Sequence, residues 1–209
     1  MTPLRIAVPR GALLPDTLDL LEGLGIDTTE VRANDRKLLF EDAGLVTMRP
    51  SDVPTYVEAG AADIGITGKD VLAEQSERAV YELLDLGYGP CRMVFATTAG
   101  DDPSAEALRR LGVMRVATKY PRIAAAYFER TGRQAEIVEV KGSVELAPLT
   151  GMVHGIVDLT ATGTTLRENG LEVREEIAAS TARLIANPVA HKLKAAAIDD
   201  VVARIRGQA

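Results

Sequence analysis

Apolar residues recur along this chain in short blocks closed by glycines and prolines, and two spacings take turns within the blocks. Leu4, Ile6 and Val8 open with a short apolar run that predicts a buried strand over residues 4–8. Leu14, Leu18 and Leu21 then fall at helical spacing, and Gly23 and Gly25 close that helix. Ser51 or Asp52, followed by Pro54 and then Gly60, predicts a capped helix with its end marked. Further strands are expected over 62–66, 80–84, 93–96, 115–118, 137–140 and 171–177, with one more ending at Asp158. Helices are expected to start near Lys69, Pro103, Pro121 and Ser143. A last helix over 188–206 carries the stripe Val189, Leu193, Ala197 and Val201, widened by Ile198, Val202 and Ile205. A stripe that wide needs to be covered.

Strand and helix alternate throughout, which predicts an α/β protein with mostly parallel sheet. Gly87-Tyr88-Gly89-Pro90 interrupts the alternation, after which the pattern restarts. Two lobes are therefore expected. One holds residues 1–90 and 178–209, since the final helix has no sheet of its own, and the other holds 91–177. The cleft between lobes is the expected ligand site.

Composition narrows the function. The net charge is −6, Trp is absent and aromatic residues make up only 4%, which argues against a general nucleic-acid surface. Cys91 is the only cysteine, so no internal disulfide can form, and a reducing compartment is expected. The first residues lack the apolar core of a signal peptide, and no run approaches the ~20 apolar residues of a membrane span. A soluble cytoplasmic protein is expected, with no membrane partner.

The richest chemistry lies in Asp158-Leu159-Thr160-Ala161-Thr162-Gly163-Thr164-Thr165. A strand end, a loop with four threonine hydroxyls and a glycine, and a helix start stand in series. Backbone N–H groups at a helix start suit an anion such as phosphate, and Asp158 suits sugar hydroxyls. The same stretch taken alone also reads as a polar helix cap. It has no lysine, so it is not the nucleotide P-loop. Arg10 follows the first strand, at the end of the strands where α/β proteins bind ligands, or is simply solvated. Arg32, Arg36 and Lys37 share a polar loop, and Arg49 precedes a helix. Asp70 is either a ligand group or a helix cap, and Glu145 either a ligand group or a dipole partner. Lys119 and Tyr120 suit a phosphate and a flat base, or Tyr120 packs under its loop. His154 and His191 have no metal-ligand spacing with each other or with Cys91, so no metal site is expected on the protein.

Taken together, these segments resemble the catalytic subunit of ATP phosphoribosyltransferase in its short form. The resemblance runs over nearly the whole chain. It rests on Pro9-Arg10-Gly11, Asn34-Asp35-Arg36-Lys37-Leu38, the stretch from Arg49-Pro50-Ser51-Asp52 to Gly68-Lys69-Asp70, Ala117-Thr118-Lys119-Tyr120-Pro121, Gly142-Ser143-Val144-Glu145-Leu146-Ala147-Pro148-Leu149 and the Thr/Gly loop. Val153 and His154 depart from the family, which has a small and often an acidic residue there. The resemblance implies the first step of histidine biosynthesis: the adenine N1 of ATP attacks C1′ of phosphoribosyl pyrophosphate, with Mg²⁺ accompanying the phosphates. It implies the two-lobed, type II periplasmic-binding-protein-like fold. It also implies that Asp158, Glu145 and the loop Thr160, Ala161, Thr162, Gly163, Thr164 and Thr165 hold the ribose phosphate. Arg10, Arg36 and Arg49 would meet pyrophosphate and ATP phosphates, and Asp70 and Tyr120 the ATP side. The short form implies a regulatory partner related to histidyl-tRNA synthetase, in a hetero-octamer.

Two other classes share much of this pattern: a two-lobed small-molecule binding module, and a phosphoribosyltransferase acting on another base. Fold by itself does not choose among them.

Overall fold

The computed structural model describes residues 4–207 and contains two compact units. The first runs through Gly89 and resumes at Thr181; the second is the continuous segment Pro90–Ser180. The chain opens with β1 (Ile6–Pro9), a 3-10 turn (Gly11–Leu13), α1 (Leu14–Gly23) and α2 (Thr29–Ala33). Next come β2 (Leu39–Phe40), β3 (Leu45–Met48), α3 (Val53–Glu58), β4 (Ile64–Gly68), α4 (Lys69–Glu74) and β5 (Tyr81–Asp85). The second unit contains β6 (Cys91–Thr98), α5 (Pro103–Leu111), β7 (Met114–Thr118), α6 (Pro121–Arg130) and β8 (Ala135–Glu139). It continues with α7 (Leu146–Leu149), β9 (Gly155–Thr160), α8 (Thr164–Glu168) and β10 (Leu171–Ser180). The first unit is then completed by β11 (Ala182–Ala186), α9 (Pro188–Leu193) and α10 (Ala195–Arg206).

The first unit is built on one sheet in the order β2-β3-β1-β4-β11-β5. Side chains on a strand alternate between faces, so Ile6 and Val8 enter one core with Leu18, Leu21, Leu184 and Ile198. Ala7 between them enters the other, with Val53, Val57 and Ile185. A sheet buried on both faces has strands that read as continuous apolar runs. Gly65 on β4 makes the second packing possible, because a Cβ there would lie 2.7 Å from the Val53 side chain of α3. Asn187 ties the returning segment in place. Its Oδ1 accepts from the backbone N–H groups of Val189 and Ala190, both at 2.8 Å, while Nδ2 donates to the carbonyls of Val57 (2.8 Å) and Glu58 (3.1 Å).

The second unit has a sheet in the order β10-β6-β9-β7-β8. Val157, Met93, Phe95 and Val116 bury one face with Phe128 of α6. Ile156, Val94, Ala96 and Ala117 bury the other with Val144, Ala147 and Leu166 around α7 and α8.

Three expectations change. Both sheets are mixed: β2, β11 and β5 enter the first through antiparallel pairs, and β6 lies antiparallel to β9 and β10 in the second. Hydrophobic alternation reports which face is buried and carries no information about strand direction. β2 and β3 lie between the expected polar loop and the helix after Ser51, where no strand was expected, and β11 lies between the last expected strand and the last helix. The final helix is in two pieces that meet at Lys194, whose φ of −122° and ψ of 29° leave the helical region. The Lys194 ammonium reaches 2.7 Å to the Asp63 carboxylate at that break. The stripe divides with the helix: Ile198 and Ile205 are buried, whereas Val189 and Leu193 of α9 are exposed.

Candidate active site

β9 delivers Asp158 near its C-terminal end, on the same face as Ile156. On that face α7 and α8 pack, so Asp158, the N-cap residue Glu145 of α7 and the loop leading into α8 share one side of the second unit's sheet. Asp158 is only 7% exposed. Its Oδ1 accepts from the Leu159 backbone N–H at 2.9 Å, and its Oδ2 lies 3.7 Å from the Lys119 ammonium. Burial pushes the Asp158 carboxyl above its ordinary value; Lys119 draws it back, and Glu145 adds to the rise.

The threonine loop is tied to itself. The Gly163 N–H donates to Thr160 Oγ1 (2.7 Å), the hydroxyls of Thr162 and Thr164 share a bond of 2.9 Å, and the Thr164 N–H approaches Thr162 Oγ1 at 3.4 Å. Gly163 adopts φ 74°, a left-handed conformation that glycine reaches without steric cost. Arg167, one turn into α8, donates to the Thr162 carbonyl (3.0 Å) and to Thr164 Oγ1 (3.1 Å). Ala161, Thr162, Thr164 and Thr165 remain exposed. The loop is thus a fixed ring of hydroxyls and helix-start amides with a basic side chain attached. Tyr120 is not drawn to this face. It is half-buried against the opposite core, with Phe95 and Phe128, and its N–H donates to Thr118 Oγ1 at 2.9 Å.

In the first unit, β3, β1 and β4 run parallel and side by side, with Pro9 paired to Met48 and Ala7 to Gly65. Arg10 and Arg49 therefore leave adjacent strands at the same end, and Asp70 lies two residues past the end of β4 in the first turn of α4. Arg10 is anchored: its Nε donates to Thr47 Oγ1 (3.0 Å) and its Nη2 to the Lys37 carbonyl (2.9 Å). The second bond brings in the loop that carries Arg36. Asn34 shapes that loop by accepting from the N–H groups of Arg36 and Lys37, both at 3.1 Å. Arg36 and Arg49 are exposed, and Asp70 is half-buried. The anchor on Thr47 and the Arg167 clamp escaped the sequence reading. Thr47 sits in an unexpected strand, and Arg167 looks like any surface residue of a short helix.

Among the described residues, no group of three or more His, Cys, Asp and Glu side chains is arranged to hold a metal ion. No described helix is long and apolar enough to cross a membrane.

These features define a two-unit α/β protein of the type II periplasmic-binding-protein fold, carrying an acidic strand end and a hydroxyl-rich loop at a helix start. The fold alone is shared with the periplasmic aliphatic sulphonate binding protein SsuA from Escherichia coli, at TM-score 0.59 and 12% identity over 97% of this chain and 70% of that one. The family model described as ATP phosphoribosyltransferase matches residues 49–207. The ATP phosphoribosyltransferase of Rubrobacter xylanophilus is 54% identical over 208 residues, covering 98% of this chain and 96% of the relative. A solved ATP phosphoribosyl transferase (HisG:HisZ) complex from Thermotoga maritima contains a chain with TM-score 0.82 and 33% identity over 98% of both chains. The chain belongs to the ATP phosphoribosyltransferase family and is a phosphoribosyl-transferring enzyme.

Proposed function

We propose that this chain binds the ribose 5-phosphate of phosphoribosyl pyrophosphate at its Asp158–Thr165 segment and directs phosphate groups with the arginines of its first unit. The reaction itself is that of the family, the first step of histidine biosynthesis. The adenine N1 of ATP forms a bond to C1′, the C1′–oxygen bond breaks, and its electron pair leaves on pyrophosphate. The product is N1-(5-phosphoribosyl)-ATP.

One observation carries the residue assignment: a carboxylate sunk at a strand end, with Glu145 and a self-tied hydroxyl loop on the same face. Burial of a charged group is costly unless a ligand or ion uses it. Asp158 and Glu145 accept from the ribose hydroxyls, and the Thr160–Thr165 loop wraps the 5-phosphate. C1′ becomes cationic as the bond breaks, so a nearby carboxylate gains in effect at the transition state. Negative charge meanwhile builds on the departing pyrophosphate, where Arg10, Arg36 and Arg49 act, and fixed donors aimed at developing charge lower a barrier most. Asp70 and Tyr120 serve the ATP side. Tyr120 does so by presenting the exposed part of a ring that is otherwise packed.

Mg²⁺ favours substrate phosphates plus one or two carboxylates over an all-protein cage. With no cluster of metal-ligating side chains among the described residues, Mg²⁺ is proposed to arrive on the substrate phosphates, without a dedicated protein site. The ion, when bound, neutralises phosphate charge. The regulatory partner we propose is a subunit related to histidyl-tRNA synthetase, joined in a hetero-octamer in the cytoplasm. The Thermotoga maritima complex supports a partner of the HisZ kind.

The test is direct. The protein is mixed with ATP, phosphoribosyl pyrophosphate and Mg²⁺, with and without a HisZ-type subunit, and adenine absorbance and pyrophosphate release are followed. Turnover that depends on both substrates is expected. Folded protein with no turnover under either condition would overturn the reading.

A further inference from the structure

We infer that Lys119 is a positioning residue for the phosphoribosyl transfer: it holds Asp158 as a free, ionised acceptor for the ribose hydroxyls without occupying it. The inference rests on the proposal that Asp158 meets the ribose.

The sheet register brings the two groups together. β7 and β9 are parallel, with Val116 opposite Gly155, Ala117 opposite Ile156 and Thr118 opposite Val157. Lys119 and Asp158 are the next residues on each side, so they leave the pairing as neighbours. The turn around Lys119 is fixed at both flanks. Thr118 Oγ1 accepts from the Tyr120 N–H at 2.9 Å, the Thr118 carbonyl accepts from Val140 N–H at 3.0 Å, and Pro121 starts α6. The lysine stem thus starts from a defined place, while its side chain stays 40% exposed and that of Asp158 only 9%.

The separation is informative. At 3.7 Å, Lys119 Nζ and Asp158 Oδ2 lie beyond ordinary hydrogen-bond range. Their attraction is mainly electrostatic, with hydrogen bonding the smaller part, and it persists at this distance in a poorly solvated site. Oδ1 already accepts from its own Leu159 N–H, and Oδ2 is left to accept from a ligand hydroxyl. A closer lysine would compete with substrate for that oxygen.

The surroundings explain why a cation is needed there. Glu145, from the start of α7, is a like charge and opposes ionisation of Asp158, as does burial. β6 contributes Val94 opposite Asp158, which carries no charge. The loop into α8 contributes hydroxyls, and its Arg167 is engaged with the Thr162 carbonyl and the Thr164 hydroxyl. Lys119 is the cation paired with Asp158, and its removal leaves a sunken carboxylate whose remaining charged influence is the like charge of Glu145.

The test compares pH profiles of kcat/KM for phosphoribosyl pyrophosphate, with saturating ATP and Mg²⁺, in wild type, Lys119→Met, Lys119→Arg and Asp158→Asn. The substrate's own phosphate titration is common to all four and cancels in the ratios. Lys119→Met should lose more activity relative to wild type on the acid limb of the profile than on its alkaline side, where the two should converge. Lys119→Arg should restore the wild-type limb, and adding Lys119→Met to Asp158→Asn should bring no further pH-dependent loss. Circular dichroism and melting confirm that each variant is folded. A Lys119→Met profile that superimposes on wild type, or one lowered equally at every pH, overturns the role of Lys119. Failure of the underlying reading looks different: Asp158→Asn itself would leave affinity for phosphoribosyl pyrophosphate unchanged.

Discussion

In the second unit the key charge is sunk and its surroundings are tied down; of the three candidate arginines of the first, two stand exposed and only Arg10 is anchored. Asp158 is 7% exposed, and the loop beside it is closed by bonds among Thr160, Thr162, Gly163, Thr164 and Arg167. Arg49 and Arg36 are exposed, and Arg10 alone is fixed, by Thr47 and the Lys37 carbonyl. The proposed residue roles give the contrast a chemical reason. A sugar phosphate must be held in one orientation for C1′ to be attacked, which favours prior ordering of the groups that hold it. Pyrophosphate must leave, and long arginines can follow charge as it moves away from the carbon.

The largest expected effect breaks the exposed side. Arg49→Ala should lower kcat by about 3–4 kcal/mol of transition-state stabilisation, with a smaller rise in KM. Unchanged kcat in a steady-state comparison would remove Arg49 from the leaving-group role. The buried side comes next. Asp158→Asn should cost about 2–3 kcal/mol in kcat/KM for phosphoribosyl pyrophosphate, the usual worth of a hydrogen bond to a charged group. It should also weaken binding of that substrate in calorimetry.

A smaller effect separates the anchored arginine from the free one. Arg10→Met removes donors from Thr47 and the Lys37 carbonyl, and should reduce stability in urea by about 1 kcal/mol as well as activity. Arg36→Met should lower activity with unfolding unchanged. If both variants melt like wild type, Arg10 is no more anchored than Arg36.

The smallest effect is a gain. The folded-state pKa of Asp158 lies above its unfolded value, so the folded state binds the proton more tightly. Stability is therefore lost as pH rises from the unfolded carboxylate value through the folded one, and the loss persists at neutral pH. Asp158→Asn removes that penalty. It should raise the unfolding midpoint near neutrality, and the gap should close as pH falls through the ordinary carboxylate range. A gap that widens on acidification would have the sign reversed.

Much of this was legible in the residues. Ile6 and Val8, Pro121 to Arg130, and the step from Asp158 into the threonine loop each carry their own local signal: alternation, a proline start, a glycine stop. Three kinds of feature were not legible. β2 and β3 are short and bordered by charges, so Leu39, Phe40 and Leu45 to Met48 lacked a run long enough to stand out. Strand direction in both sheets depends on where the chain has been beforehand, which no periodicity records. The face on which a residue ends is a tertiary matter. Tyr120 looked equally suited to a base and to a core, and its ring lies against Phe95 and Phe128. The tethers of Arg10 and of the threonine loop likewise arise from groups far apart in sequence or unremarkable in it.

The return of the chain at Thr181 imposes an order of assembly. Among the described strands β5 pairs only with β11, and β11 also pairs with β4, so β5 is held at one remove from the rest of its sheet by a strand that follows the whole second unit. The second unit is one unbroken stretch and has all its strands once Ser180 has left the ribosome. During synthesis the unit begun first is thus the one finished second: until Ala182–Ala186 is made, Ile64–Gly68 is the open edge of the first sheet and Tyr81–Asp85 has no strand to join.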